Sequence, residues 1–276
     1  MITDAQVHLW EASRPERPWA PGYKAHLPEP MTAERMLGLM DEAGVDRAII
    51  SPPSNLPDRN PVYAQEVAAK YPSRFRVMCW FWAHKHAGLL PRWLEQPGMC
   101  SLRVSLNEEG EQKQFAEGAF EPLWKAAAEQ GIAVAVWSRW GVGQLEPVLQ
   151  RYPGLVIIID HFNWALPKDR ERKLLELEHL ARYPSVHVKV SSMPLLSEQA
   201  PPYSDLEPLI RRVHAAYGAR RLMWGSDQTQ IMGHNLGSYR DNCDIVRVSA
   251  AKYLPKEDIE WMLHGTAAKV FNWPSA

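Results

Sequence analysis

Two polar side chains near the start of the chain, Gln6 and His8, are spaced so that they could act together on one ion or one reacting group. They lie in the stretch DAQVHLW (residues 4–10), in which polar and apolar residues alternate. In a β-strand every second side chain points to the same face, so Gln6 and His8 would lie side by side. A zinc site would favour histidine at both positions, because an amide oxygen is a weaker zinc ligand than imidazole. The stretch is therefore a metal site, a former metal site, or only the first strand of a core.

Four ionisable residues next to apolar runs extend this set. His161 follows the run LVIIID, and Asp227 closes the stretch WGSD. Arg103 and Lys189 each lie inside an apolar stretch, where a charge needs a partner. Each of these two is either a structural ion pair or a binding site for an anion, and we favour the anion. Asp227 could instead cap a helix, and His8 alone could be a core histidine, but their combination with His161 favours catalysis.

Aromatic and neutral polar residues could line a pocket beside these charges. Large aromatics often line ligand pockets, although tryptophans also fill cores. His84 and His86 could extend such a pocket or be ordinary loop histidines. No GxSxG context surrounds Ser191, so a serine nucleophile is not expected. The residues that we predict to contact a substrate are Gln6, Arg103, Lys189, Trp80, Trp82, Trp137, Asn163 and Ser191.

Eight short apolar stretches alternate with segments of helical spacing, and these elements must position the candidates. The first predicted helix spans 32–44, with Thr32 as its N-cap and Gly44 at its end. Eight strands that alternate with helices are typical of an α/β fold of the (β/α)8 TIM-barrel type, which we predict as a single domain over residues 1–276. A doubly wound open sheet, the alternative, usually has a glycine-rich turn after strand 1, and none follows here. The predicted strands span 1–10, 47–53, 74–82, 100–106, 132–138, 155–162, 186–192 and 221–227.

In such a barrel the C-terminal ends of the strands meet at one mouth, where the active sites of this fold lie. His8, His161 and Asp227 fall at or near predicted strand ends, so we expect them to converge. Two long proline-rich loops, 11–31 and 193–204, would lie over the same mouth.

Composition narrows the class of partner. The 276 residues carry a formal net charge of −1, which argues against nucleic acid or an anionic membrane surface as the partner. No N-terminal apolar run resembles a signal peptide. Cys79, Cys100 and Cys243 are odd in number and lack CxxC spacing, so we expect buried thiols and a cytoplasmic location. A small organic acid or lactone is the expected partner, and we also expect a homo-oligomer.

Several of these motifs resemble the amidohydrolase superfamily. DAQVHLW on strand 1, IDHF on strand 6 and WGSD on strand 8 are similar to its second large branch, called amidohydrolase-2, which contains lactonases and non-oxidative decarboxylases. GVDRAIISPPS (44–54), YPSRFRV (71–77) and HGTAAKVFNW (264–273) also resemble that branch, so the likeness covers nearly the whole chain.

The resemblance implies roles for particular residues. The HxH pair of the family corresponds to Gln6 and His8, its strand-6 histidine to His161 and its strand-8 aspartate to Asp227. In metal-dependent members such residues bind a divalent ion, zinc or manganese, and the aspartate takes a proton from the attacking water. Gln6 departs from this pattern, and AVAVWSRW on strand 5 offers no further ligand. His8, His161 and Asp227 could just hold an ion, or the site could work without one, as in some lactonases of the branch.

The resemblance also implies an activity. We expect a hydrolase that opens a lactone of a small carboxylated ring, with Asp227 as general base on water. Arg103 and Lys189 would hold the carboxylate or polarise the carbonyl, and His8 and His161 would bind the ion or stabilise the oxyanion. The alternatives are a metal-dependent decarboxylase of an aromatic or unsaturated acid, which the tryptophans would suit, and a binding barrel without catalysis.

Overall fold

Eight apolar segments form eight parallel strands that follow one another around the sheet in chain order. The computed structural model describes residues 1–22 and 25–273, apart from the side chains of residues 83 and 84. Almost every strand residue is buried, as expected where helices cover one face and the opposite face lines the barrel interior. The predicted (β/α)8 barrel is therefore confirmed. The strands are β1 Thr3–Val7, β2 Arg47–Ile50, β3 Phe75–Trp80, β4 Met99–Ser105, β5 Ala133–Trp137, β6 Ile157–Ile159, β7 Val186–Ser191 and β8 Leu222–Gly225.

Helices connect the strands and end where the sequence signals indicate. The first begins after Thr32, whose side chain accepts a hydrogen bond from Arg35 N, and ends at Gly44 in the left-handed conformation. Within the described ranges, no helix has the length and apolarity needed to cross a bilayer. The helices span Ala33–Ala43, Val62–Lys70, Ala83–His86, Glu109–Ala116, Glu121–Gln130, Glu146–Arg151, Arg170–Leu180, Met193–Leu196, Glu207–Tyr217, Gln228–Gly233, Tyr239–Asp244, Lys256–Glu260 and Thr266–Val270.

Strand β6 is shorter than the apolar run predicts. It stops at Ile159, and the residues His161–Trp164 form a left-handed turn with φ angles of 51–58°. Left-handed backbone is costly for residues with a Cβ, and a run of four is unusual. The sequence predicted a strand up to residue 162 because hydrophobicity continues through Phe162, which is fully buried but outside the strand.

Asp4 joins the first strand of the barrel to the last. Its Oδ1 accepts hydrogen bonds from Gln6 N (2.9 Å) and Ser226 N (2.8 Å), and its Oδ2 accepts one from Tyr239 Oη (2.6 Å). The Asp227 N–H also donates to the Gln6 carbonyl, at 3.0 Å. Complete burial outweighs these hydrogen bonds and raises the pKa of Asp4 to about 6. This carboxylate fixes the backbones that carry Gln6 and Asp227.

Asp4 should make the stability of the protein depend on pH. Its pKa is higher in the folded protein than in the unfolded chain, so its contribution is complete below the unfolded value of 3.8 and is lost as pH rises through about 6. We expect Asp4→Asn to remove this loss. The fall in the free energy of unfolding between about pH 5 and pH 7.5 should be smaller in Asp4→Asn than in the wild type by about 1.5 kcal/mol, measured by urea denaturation. An equal fall in both proteins would contradict the raised pKa.

Candidate active site

A cavity of about 290 Å³ opens at the C-terminal ends of the strands. It lies where the fold predicts an active site, and its volume suits a small ring rather than a polymer. Six of the predicted site residues line it, and the structure therefore brings together side chains from five different strand ends: Gln6, His8, Arg103, Trp137, His161 and Asp227.

Left-handed backbone turns carry three residues of this mouth. His161, Ser192 and Asp227 each follow a strand within two residues and have φ angles of 52°, 52° and 53°. Such conformations cost free energy for residues other than glycine and cluster where side-chain direction matters for function. Here they accompany the placement of His161 and Asp227 in the cavity wall.

The Asp227 carboxylate lines the cavity, and each of its oxygens has one neighbouring polar group. Its Oδ2 accepts a hydrogen bond from Ser192 Oγ at 2.7 Å. Its Oδ1 is buried and lies 3.1 Å from His8 Nε2, within ion-pair distance. Burial on its own raises the pKa of Asp227, but the interactions with His8 and His161 outweigh it and hold that pKa below its ordinary value. Asp227 is therefore ionised, and Oδ1 is available to take a proton.

The hydrogen-bond network assigns the tautomer of His161. Because the Ser192 hydroxyl donates to Asp227, its oxygen accepts from His161 Nδ1, at 2.8 Å. Burial lowers the pKa of His161 to about 4, so the ring is neutral at physiological pH and Nε2 presents a lone pair. That lone pair faces Arg103 Nη2 at 3.3 Å. The expectation that His161 stabilises an oxyanion is therefore wrong, since a lone pair cannot donate a hydrogen bond.

Gln6 and His8 lie side by side, as the strand alternation predicts. The two Nε2 atoms are 3.5 Å apart, and Gln6 Nε2 is also 3.4 Å from His161 Nε2. His8 Nδ1 donates to the Ser51 carbonyl at 2.6 Å. On its other side, Gln6 Oε1 accepts from Lys189 Nζ at 2.9 Å. The amide nitrogen of Gln6 thus points at both imidazoles.

Arg103 and Lys189 are both paired with one buried carboxylate. Asp160 Oδ2 is 2.7 Å from Arg103 Nε, and Asp160 Oδ1 is 2.8 Å from Lys189 Nζ. Burial raises the pKa of Asp160, but the two cations outweigh it and bring that pKa to about 2. Lys189 is completely buried and does not line the cavity. The prediction that Lys189 binds the substrate carboxylate is therefore corrected, because its charge is used within the protein.

Other predicted contact residues support the cavity from behind. Trp80 donates from Nε1 to the Pro52 carbonyl (2.9 Å) and packs its ring against the Arg59 and Arg103 guanidinium groups, at 3.8 and 4.4 Å. Ser191 Oγ is 2.9 Å from His161 Nδ1 and so helps to orient that ring.

Asn163 and Trp82 also lie off the cavity wall. The amide nitrogen of Asn163 donates to the Lys173 carbonyl (3.1 Å) and to Glu176 (3.0 Å), because the left-handed turn directs it to the following helix. Trp82 Nε1 donates to the Asp58 carbonyl, and Trp82 lines an adjoining outer cleft of about 700 Å³. These positions correct the expectation that Trp80, Trp82, Asn163 and Ser191 contact a substrate in the inner cavity.

His86, the second of the two histidines that follow β3, lies in the short helix Ala83–His86 and does not line the described cavity. His86 Nδ1 accepts from Trp82 N at 3.1 Å, and its ring packs against Phe81 and Trp93. The side chain of His84 lies outside the described residues.

Nine residues of the described cavity wall were not among the predicted site residues. Those in loops have no periodicity from which a direction could be read, although Arg139 stands two residues after the end of β5, as His161 does after β6. His26 shows what was missed: it lies in the long loop after β1, and its Nδ1 is 2.8 Å from Thr229 Oγ1. These residues are His26, Pro53, Ser54, Arg59, Arg139, Trp164, Leu195, Gln230 and His234.

The residues of this site do not fit a resident divalent ion. In the described ranges, no group of three or more His, Cys, Asp or Glu side chains is placed to hold a metal ion. The space beside both imidazole Nε2 atoms faces the Gln6 amide nitrogen, which is a hydrogen-bond donor and not a ligand. Behind that amide lies the Lys189 ammonium, whose charge opposes a cation.

Comparison with known proteins identifies relatives of the whole chain. A family model described as amidohydrolase matches residues 3–273. The L-fucono-1,5-lactonase of Burkholderia ambifaria is 26% identical over 249 residues, which cover 86% of this chain and 83% of that protein.

Solved structures share the fold at low sequence identity. A putative 2-pyrone-4,6-dicarboxylic acid hydrolase from Pseudomonas putida superposes with a TM-score of 0.78 at 23% identity, covering 100% of this chain and 98% of that one. An amidohydrolase from Burkholderia multivorans with bound zinc gives a TM-score of 0.78 at 19% identity, covering 99% and 100%. A manganese complex of 5-carboxyvanillate decarboxylase from Novosphingobium aromaticivorans gives 0.61 at 17% identity, covering 88% and 81%. A divalent ion thus occurs among proteins of this fold.

Proposed function

This chain belongs to the amidohydrolase family, and from that premise we propose that it uses no resident metal ion to hydrolyse a small lactone that carries a carboxylate. The observation that carries the proposal is the buried, ionised Asp227 carboxylate, which lines the cavity and whose Oδ1 lies 3.1 Å from His8 Nε2. The lactonase relative and the pyrone hydrolase neighbour support the same class of bond.

Asp227 would act as the general base. The oxygen of a water molecule bonds to the lactone carbonyl carbon while one of its protons passes to Asp227 Oδ1. The ring C–O bond then breaks, and the departing oxygen receives the proton back from Asp227. The product is a hydroxy acid, whose new carboxyl group releases one proton at neutral pH. Ser192 holds the other oxygen of Asp227 throughout, so Oδ1 keeps its direction.

Three arginines line the cavity and favour an anion there, and of these Arg103 already pairs with Asp160. The guanidinium groups of Arg59, Arg103 and Arg139 lie 5.9, 5.7 and 5.3 Å from the centre of the Trp137 ring. Among the described residues that line the cavity, Asp227 is the one acidic side chain. Arginine is suited to bind carboxylates through paired N–H groups, so the substrate should carry a carboxylate beside the ring.

Removing one arginine should weaken binding more than turnover. We expect Arg139→Gln to raise KM about tenfold to a hundredfold for a carboxylated lactone, since a hydrogen bond to a charged group contributes about 1.5–3 kcal/mol. KM for the corresponding methyl ester should change little. Arg220→Gln is the control, because Arg220 is exposed, pairs with Glu257 and precedes β8 at the other end of the barrel. An equal rise in KM for acid and ester would contradict anion recognition by Arg139.

A panel of lactones tests the function directly. Proton release should accompany ring opening of carboxylated lactones and continue after treatment with a chelator. Carbon dioxide release from aromatic acids, without lactone opening, would replace the proposal with decarboxylation. Ligand binding without any turnover would indicate a binding barrel.

A further inference from the structure

We propose that Lys189 and Gln6 together take the place of a metal ion in this site, with the Gln6 amide N–H donating to the substrate carbonyl oxygen and Lys189 fixing that amide. Gln6 would be the catalytic residue, since it touches the reacting atoms, and Lys189 a positioning residue that acts through it. This inference rests on the proposed lactone hydrolysis.

The direction of the Gln6 amide follows from its partner. An ammonium group has donors only, so the atom of Gln6 that lies 2.9 Å from Lys189 Nζ must be the carbonyl oxygen. The –NH2 group is thereby turned to the cavity side, toward His8 and His161. Because Lys189 is completely buried and held by Asp160, its own position leaves little freedom to the amide.

The Gln6 amide is well suited to bind a developing oxyanion. His161 Nε2 presents a lone pair and cannot serve as a donor, as its hydrogen bond with Ser192 shows. The contacts of Gln6 Nε2 with the two imidazoles, at 3.4 and 3.5 Å, are long for hydrogen bonds. An N–H group engaged so weakly can turn to a substrate oxygen at small cost. Arg103, 3.3 Å from His161 Nε2, is a second donor at the same place.

The charges beneath the cavity oppose a divalent ion. Arg103 and Lys189 contribute two positive charges and Asp160 one negative charge, and the three side chains are nearly completely buried. This buried group, with one net positive charge, raises the free energy of a cation placed nearby and so opposes the attraction of the Asp227 carboxylate. A histidine at position 6 would therefore not suffice to create a metal centre while Lys189 keeps its charge.

Zinc titration in the absence of substrate tests whether Lys189 and Gln6 exclude a metal ion. We expect the wild type to bind Zn²⁺ weakly and Gln6→His/Lys189→Met to bind one equivalent at least about 100-fold more tightly, in calorimetric titrations of the full chain. Gln6→His alone should gain less, and adding His161→Ala to the double variant should abolish the gain. Lys189→Gln is the second neutral replacement if circular dichroism shows that Lys189→Met does not fold. A wild type that already binds zinc as tightly as the double variant, or a full gain from Gln6→His alone, would overturn the inference.

Turnover tests the amide donor separately. A glutamate at position 6 has nearly the same shape but can only accept, so Gln6→Glu should lower kcat by about 100-fold with KM changed little. Lys189→Met should also lower kcat, because the Gln6 amide is then free to rotate and present its oxygen to the cavity. An unchanged kcat in Gln6→Glu would refute the donor role. If the wild type opens no lactone, the proposed function fails on its own, while the zinc titration still decides whether the pair excludes a metal ion.

Discussion

Asp227→Asn should lower kcat for lactone hydrolysis by about 10³-fold, with KM changed little, because positioned general bases contribute about 10²–10⁴-fold. Asparagine keeps the shape of the side chain. Its Oδ1 can still accept the Ser192 hydrogen bond, which the wild-type carboxylate receives at 2.7 Å, and its amide nitrogen then takes the place of the oxygen beside His8. The variant thus loses the proton acceptor and the negative charge that faces His8. Initial rates over a range of lactone concentrations measure both constants.

A matched control separates the base from a general loss of negative charge at the mouth. Asp58 lines the outer cleft beside the cavity, is exposed and pairs with Lys85. Asp58→Asn should therefore change kcat by less than about threefold, as surface ion pairs contribute little. If Asp227→Asn retained as much activity as Asp58→Asn, another group would have to take the proton from water. His8, 3.1 Å from the carboxylate, would then be the next candidate.

The barrel and three of its site residues could be predicted from the sequence for a physical reason. Eight apolar stretches alternating with helical spacing leave few arrangements that bury them all, and parallel strands bring their C-terminal ends together. Any polar residue at such an end then falls at one mouth. This rule placed His8, His161 and Asp227, which the structure brings to one cavity.

The position of a residue near a strand end does not predict the direction in which its side chain points. Asn163 stands two residues after His161, but four consecutive left-handed residues direct it to the Lys173 carbonyl instead of the cavity. Hydrophobic pattern carries no information on the sign of φ outside glycine. Loop residues such as His26 and Arg59 were missed because their distance in sequence from a strand end does not determine their place over the mouth.

The sequence also did not predict which buried charged residues pair with one another. The sequence indicates that charges inside apolar strands need partners, but not that Arg103 and Lys189, 86 residues apart in number, share Asp160. Only the folded barrel brings β4, β7 and the residue after β6 together at one carboxylate. The prediction of an anion site at Lys189 failed for this reason, since the anion belongs to the protein.

Asp160→Asn should be among the most destabilising single substitutions in this chain. It leaves the charges of Arg103 and Lys189 without their carboxylate in a place from which water is excluded. Removing one partner of a buried ion pair costs about 3–5 kcal/mol, and here two cations lose their partner at once. The free energy of unfolding from urea denaturation should fall by at least that amount. Burial already lowers the pKa of Lys189 to about 8, with Asp160 opposing that fall, so this lysine should lose its proton more readily in the variant.

A double variant and a surface control identify the cause. Asp160→Asn/Lys189→Met removes one of the two uncompensated charges. Its free energy of unfolding should be about 1–2 kcal/mol higher than that of Asp160→Asn, because each unpaired buried charge adds to the loss of stability. Asp41→Asn breaks the exposed pair with Arg74 and should cost less than about 1 kcal/mol. Equal losses in Asp160→Asn and Asp41→Asn would mean that the buried ion pairs add nothing to stability. The cluster of Arg103, Asp160 and Lys189 would then have to be explained by its place beside Gln6. There Lys189 orients the Gln6 amide and Arg103 faces His161.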